Sequence, residues 1–315
     1  MAETAQDESA ISYRNKAWRQ NDAVPAWVDL DEVGLDQFFT RPEVAKACLA
    51  SLSKVIAGDD VDAAQCTFLE PSAGSGAFFN LLPAARRIGL DVAPKCRGVD
   101  RQDFLSYSPP EDRQNLVVVG NPPFGYRAWL ALAFVNHAAT FADYVGFILP
   151  MAFQSEGKGS PRRRVKGMTL VHSEILPPNS FVNPQGKSLA VNTLWQIWRR
   201  GENSMPAKAD CSAWTDLFTV DRRKERLCGA NRAASADWFL QRTFYGEPPT
   251  LVRDFDDVKY GCGYGIVVNR DEKAIETCLR RTDWMRYSNL AGNSARHISM
   301  YHIENALAAG GFSHV

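Results

Sequence analysis

Apolar positions along the chain fall into short runs separated by stretches of helical spacing. "PEVAKACLASLSKVIAG" carries the three- and four-residue apolar interval of an amphipathic helix, with Pro42 in its first turn and Gly58 at its stop. Beyond it come "CTFLE", "AFFNLLPAARR", "GLDVAP", "NLVVVG", "RAWLALAFVNHAATFA" and "DYVGFILP". Short apolar strands alternating with helical stretches predict an α/β fold, a parallel sheet covered on both faces. "SLAVNTLWQIW", rich in β-formers, predicts a late strand that closes this half. Residues 1–35 mix charges with Trp18 and Trp27 without periodicity and predict a tail or loose cap. Near Arg200 the polar, breaker-rich "RRGENSMPAKADCSAW" marks a linker. The organisation expected is therefore a main domain over 36–200 and a small mixed region over 201–315.

Composition narrows this little. The 315 residues are 45% hydrophobic and 23% charged with zero net charge, as in ordinary globular proteins. The zero hides an asymmetry. Residues 154–253 hold 16 Lys and Arg against 9 Asp and Glu, while residues 1–34 hold 7 acids against 3 bases. A basic second half suits a polyanionic partner, and an unevenly charged solvated surface explains it equally well. Seven cysteines, widely spaced and without C-x-x-C, encode neither a disulfide framework nor a zinc site, and no metal is expected. "MAETAQDESA" lacks the basic and apolar parts of a signal peptide, and no apolar run approaches the ~18 residues of a membrane span. A reducing, aqueous compartment, the cytoplasm, is expected.

The chemistry concentrates at strand ends. "NLVVVG" runs directly into Asn121-Pro122-Pro123-Phe124. Two prolines surrender two backbone donors and fix two φ angles, so this turn is rigid by construction. "TFLE" runs into "PSAGSGAFF", where Ala73, Gly74, Ser75 and Gly76 permit a tight turn and close backbone approach. No Gly-Lys-Ser/Thr follows, and the third glycine of G-x-G-x-x-G is missing, so the loop alone reads as a structural turn as readily as a site. Acids mark three successive strand ends: Glu70, Asp91 and Asp103, the last followed by Phe104. Singly each is a cap or a solvated charge. Jointly they describe a nucleoside pocket without a phosphate partner, since a carboxylate after the second strand can accept ribose hydroxyls.

"DQFFTRPEVA", "FLEPSAGSGAF", "GLDVAP", "QDFL" and "GNPPFG", in this order, resemble the motifs of S-adenosylmethionine-dependent adenine-N6 DNA methyltransferases in the gamma arrangement of the TaqI-type modification enzymes. The match covers roughly residues 36–200. The resemblance implies a Rossmann-like class I methyltransferase sheet, S-adenosylmethionine as cofactor, and a bacterial or phage restriction-modification setting. It implies Thr40 and Glu70 at the methionyl end, the Ala73, Gly74 and Gly76 loop around the cofactor, Asp91 at the ribose, and Asp103 with Phe104 at the adenine. Asn121 would border cofactor and target together. The Asn121 side-chain oxygen and the Pro122 carbonyl would accept the two N–H bonds of an exocyclic amine, whose delocalised lone pair otherwise makes it a poor nucleophile. Phe124 would stack on the target base.

A target adenine in duplex DNA must be flipped out, at a cost of a few kcal/mol, which stacking at ~1–3 kcal/mol per base partly offsets. "NSFVNPQGKSLAV" resembles the family's later motif, making Phe181 the second flanking aromatic; an ordinary core phenylalanine is the alternative. In "GKGSPRRRVKG", Arg162, Arg163, Arg164 and Lys166 are expected on the ligand face, gripping phosphates, or else in a solvated loop. Double-stranded DNA is the expected partner. RNA methylation by the same chemistry, and a protein partner that supplies target recognition, remain open because only about 115 residues follow Arg200. Glutamine methylation shares the tetrad but lacks its usual preceding helical domain here. A non-catalytic scaffold has no use for an intact Asn-Pro-Pro-Phe.

Overall fold

The computed structural model describes residues 38–110, 115–125, 128–157, 159–183, 185–205, 208–223, 230–291 and 294–314. The expected N-terminal tail and part of "DRRKER" lie outside these. The chain divides into two compact units, one holding the described residues up to 154 together with 159–204, the other 155–157 and those from 205 onward.

In the first unit, β1 (Phe39–Thr40) leads into helix α1 (Pro42–Gly58). Pro42 occupies the first turn, where its missing N–H costs nothing. Ala45, Cys48, Leu52 and Ile56 form the buried stripe that the spacing predicts. Strands β2 (Thr67–Glu70), β3 (Arg87–Asp91), β4 (Asp100–Arg101), β5 (Leu116–Gly120) and β6 (Tyr144–Pro150) pair in parallel. Helix α2 (Trp129–Ala138) joins the last two. Then come β7 (Met168–Ile175), β8 (Phe181–Val182), β9 (Ser188–Leu189) and β10 (Thr193–Arg200). The seven-stranded sheet has the order β4-β3-β2-β5-β6-β10-β7, with β10 antiparallel to both neighbours. Its order reverses between β2 and β5, the switch point of a doubly wound sheet. A separate small ribbon, β1-β8-β9, accompanies it.

The core explains the apolar runs. Every residue of β5 is buried, as a central strand covered on both faces requires. Val117 and Val119 join Leu52, Phe78, Trp195 and Ile197 in one cluster beneath α1. Asp59, just past the end of α1, accepts a hydrogen bond from the Tyr144 hydroxyl and pairs with Arg199, tying the helix to the sheet.

One expected helix is absent. "AFFNLLPAARR" makes two 3-10 turns, Phe79–Leu81 and Ala84–Arg86, in place of an α-helix. Pro83 has no N–H to donate and holds Leu82 extended at ψ 151°, so a helix cannot run through. The buried Phe79 ring fills the space, with the Arg87 guanidinium 4.2 Å from its centroid.

The second unit is small and mixed. Strands β11 (Thr215–Asp221), β12 (Trp238–Gln241), β13 (Thr243–Phe244), β14 (Cys262–Val268), β15 (Asn289–Leu290) and β16 (Arg296–His297) form two antiparallel sheets, β11-β14-β12 and β13-β16-β15. Helices α3 (Glu272–Arg281) and α4 (Met300–Ala309) accompany them. The Ser299 hydroxyl accepts the His302 N–H and His302 Nδ1 accepts the Ser299 N–H, capping α4 at both donors. Trp238 is covered by Arg253 at 3.4 Å and Arg280 at 4.8 Å from its ring centroid.

Gly146 lies in β6 where a Cβ would come 2.7 Å from the fully buried Trp195 ring. Gly146→Ala should therefore destabilise the protein by about 1–3 kcal/mol through overpacking. The midpoint of urea unfolding reads this directly, and an unchanged midpoint would mean that the ring moves freely.

Candidate active site

Three strand ends converge where the sheet order reverses. Glu70 ends β2, Asp91 ends β3, Gly120 ends β5, and a cleft of about 950 Å³, its mouth included, is lined by the first two and by Asn121.

The floor is acidic and partly unpartnered. Glu70 is 2% exposed and its Oε2 has no hydrogen-bond partner. Burial pushes its carboxyl well above the usual 4.5; the Phe79 N–H opposes this and the nearby Asp91 charge adds to it. A Cβ at Gly120 would stand 3.2 Å from Glu70 Cγ, so glycine lets β5 run against this side chain. Thr40, on β1 opposite Phe181 of β8, is buried with its Oγ1 also unpartnered.

The glycine loop is stitched onto β3. Asp91 Oδ2 accepts the Gly74 N–H at 2.7 Å, Oδ1 accepts the Ala93 N–H at 2.8 Å, and the Ala73 N–H donates to the Leu90 carbonyl at 3.0 Å. Ala73 and Gly74 line the cleft. Gly76 does not: its φ is +85°, and a Cβ there would press within 2.6 Å of Cys96 Sγ. Its glycine answers to that close approach rather than to the cleft.

Asp103 accepts the Leu105 N–H at 3.1 Å and caps a 3-10 turn, Phe104–Ser106, which sets the Phe104 ring in the wall. Behind that ring stand Phe134, 5.0 Å away between centroids, and the edge of His137 at 4.9 Å. Burial holds the His137 pKa below its usual value, so the neutral imidazole donates from Nε2 to the Tyr107 carbonyl at 2.9 Å.

Asn121 is oriented by its neighbours. Its Nδ2 donates to the Phe38 carbonyl at 3.0 Å, and its main-chain carbonyl accepts the Ser72 hydroxyl at 3.0 Å. An amide whose nitrogen must face a carbonyl has its oxygen turned away, and Oδ1 has no partner. Pro122 and Phe124 follow along the same wall.

Two expectations need correction. Phe181 is fully buried beneath β1, and Phe38 stands between it and Phe124, 6.4 Å from each ring centroid. The aromatic at the cleft opposite Phe124 is thus Phe38, which the sequence reading passed over in favour of Thr40 two residues on. The basic segment also lies elsewhere. Asn136, near the end of α2, donates to the Arg164 carbonyl and accepts the Lys166 N–H, while Asn203 donates to the Arg162 and Val165 carbonyls. Met168 follows at once, paired with Arg200, whose N–H donates to Asp143 at the start of β6. Because β7 runs parallel to β6, the connection must return to the amino edge of the sheet, and it carries Arg162, Arg163, Arg164 and Lys166 there. They do not line the cleft. Residues that the sequence reading missed are Phe38, Ser72, Phe134 and Lys95, whose Nζ lies 4.9 Å over the Phe39 ring.

No family model matches the chain, and no curated protein matches it. Among solved structures, it resembles a protein from Pyrococcus horikoshii described as a candidate RNA methyltransferase, at 20% identity over 53% of this chain and 88% of that one, TM-score 0.39. It resembles the type IIG restriction endonuclease BpuSI at 16% identity over 57% of this chain but only 26% of that one, TM-score 0.39. The magnesium protoporphyrin IX methyltransferase of Synechocystis, solved with S-adenosylmethionine bound, gives 12% identity over 64% of this chain and all of that one, TM-score 0.33. Likenesses this distant decide nothing about the reaction.

A carboxyl whose folded-state pKa is raised favours folding most when protonated. Its contribution is complete below about 4.5 and declines as pH rises through the folded value. Glu70→Gln, neutral at every pH, should flatten that decline and exceed the ligand-free wild type in stability at pH 8. Urea midpoints from pH 5 to 8 test it; parallel curves would show that Glu70 is ionised throughout.

Proposed function

We propose that this chain is an S-adenosylmethionine-dependent methyltransferase acting on the N6 amine of an adenine flipped out of DNA. The observation that carries the reading is the orientation of Asn121. With Nδ2 engaged by the Phe38 carbonyl, an unpartnered amide oxygen stands beside Pro122 in a cleft that also holds two other buried, unpartnered oxygens, on Thr40 and Glu70.

The residues present fit the cofactor. Asp91 and Asp103 line the cleft against one cation, Lys95, among the described residues, and a cationic ligand would favour ionisation of the buried Glu70 beside them. Thr40 Oγ1 and Glu70 would meet the methionyl end, Asp91 the ribose, and Asp103 with Phe104 the adenine. When bound, S-adenosylmethionine supplies an electrophilic methyl on a sulfonium. Asn121 Oδ1 and the Pro122 carbonyl would accept the two N–H bonds of the target amine and draw its lone pair out of the ring. The same two acceptors would stabilise the positive charge growing on nitrogen as the N–C bond forms and the sulfonium C–S bond breaks, releasing a neutral thioether. The methylated amine is then acidic enough to release its proton to water, so no side-chain base is required. Phe124, with Phe38 replacing Phe181, would flank the extruded base.

Transfer of labelled methyl to duplex DNA, single-stranded DNA and RNA in parallel tests the reading, with label expected in N6-methyladenine from DNA. Label confined to RNA would keep the chemistry and overturn the substrate. Asn121→Ala should lower turnover by about 100-fold or more, while calorimetry still records cofactor binding; equal loss of both would make the tetrad structural. Phe38→Ala should raise KM for the nucleic acid at a smaller cost in stability than truncation of the fully buried Phe181. Phe181→Ala should cost about 3–5 kcal/mol of stability. The reverse pattern would restore Phe181 to the base.

A further inference from the structure

Large apolar side chains exposed in isolation are ordinary on protein surfaces, but two that touch each other are a different observation. Tyr245 and Tyr260 in the second unit are 52% and 57% exposed, more than any other large hydrophobic residue among those described, and their ring centroids lie 6.0 Å apart. Their planes meet at 76°, edge to face, so that each ring offers its own face to solvent in a different direction. They come from separate connections, Tyr245 from the loop after β13 and Tyr260 from the turn before β14. Tyr260 is also strained. Its φ is +64° and ψ 10°, a left-handed conformation that a bulky side chain adopts at a cost of order 1–3 kcal/mol. That strain keeps an aromatic ring in solvent at a turn where asparagine or glycine would sit without penalty.

The surroundings are cationic in a selective way. Arg222 pairs with Asp256, and Arg223 pairs with Asp221 through two nitrogens. Among the described residues, exposed Arg242 and Lys259 have no carboxylate partner within ion-pair distance, and burial first, with the Arg242 charge second, holds the His297 pKa down. Exposed Glu247 and Asp257 on the same two loops keep the local field modest, so the ring faces rather than net charge must supply most of any attraction.

We propose that Tyr245 and Tyr260 form a stacking platform for unpaired bases of a nucleic-acid strand, with Arg242 and Lys259 receiving its phosphates. Tyrosine faces accept any base, which suits a strand opened around an extruded nucleotide. As to use in methyl transfer, this rests on the reading above; as a binding surface it is tested independently.

The experiment is fluorescence anisotropy of the full chain with labelled single-stranded DNA, the matching duplex and single-stranded RNA, at several salt concentrations. Tyr245→Ala and Tyr260→Asn, the latter chosen because asparagine tolerates the left-handed backbone, should each weaken single-strand binding about 5- to 100-fold. Tyr245→Phe should bind as the wild type does. Arg242→Ala should lower the salt slope by about 1. Single-strand binding exceeding duplex binding supports the platform, and comparison of the DNA and RNA arms identifies which strand it takes. Unchanged affinity in both tyrosine variants, or no nucleic-acid binding by the wild type, overturns it, the second outcome leaving a protein partner for this surface. Loss of binding in the variants of a protein that transfers no methyl would sink the proposed reaction and leave the platform standing.

Discussion

Everything at the site depends on how β2 and β5 lie side by side. The two pair in parallel with Leu69 opposite Val118, so β5 ends one residue beyond β2. That register sets Glu70 against Gly120 closely enough that any side chain on the glycine would intrude, and it places Asn121 one residue beyond. A slip of one residue would turn every side chain of β5 to the other face and separate the carboxyl from the amide. The polar residues at either end of the run, Asn115 and Asn121, oppose such a slip, since either direction would draw one of them into the buried stretch. Core packing and site geometry are thus one constraint, and the apolar run that fills the core also delivers the polar turn.

Legibility followed the range of the determining interaction. α1, β2, β5 and β6 were readable because their identity lies in local spacing and in the length of apolar runs. The strand-end residues were readable because a motif ties them to those strands, and Thr40, Glu70, Asp91, Asp103, Asn121 and Phe124 do line one cleft. Phe181 misled because its partner across the β1–β8 ribbon is 141 residues away, and nothing near it announces that Phe38 comes first. The basic segment misled for a topological reason. Its place depends on β7 running parallel to β6, which is known only once β10 has been inserted between them.

The second unit shows the opposite limit. One of its two sheets is built from pairs of only two residues, and turns interrupt each apolar run. What holds it is side-chain chemistry across distant segments, as where Arg253 and Arg280 both cover Trp238. Such contacts leave no period along the chain. Even the glycines in "YGCGYGIVV" serve packing there: a Cβ at Gly265 would collide with the Phe218 ring of the paired strand.

The absent helix between β2 and β3 has a kinetic corollary. An α-helix in that crossover would have added its own ladder of backbone hydrogen bonds and a broad apolar face. Two 3-10 turns that bury Phe78, Phe79 and Leu82 supply no such ladder, although the connection they belong to carries seven of the 22 residues lining the cleft. Segments with few protected amides open at lower free energy than the core. This corner is therefore positioned to exchange its backbone amides earlier than β5 and β6, with the Phe78 ring anchored in their core. A ligand bridging Asp91 and Asn121 would close it and slow that exchange, so occupancy would be written into the protection of residues 73–86 before any product formed.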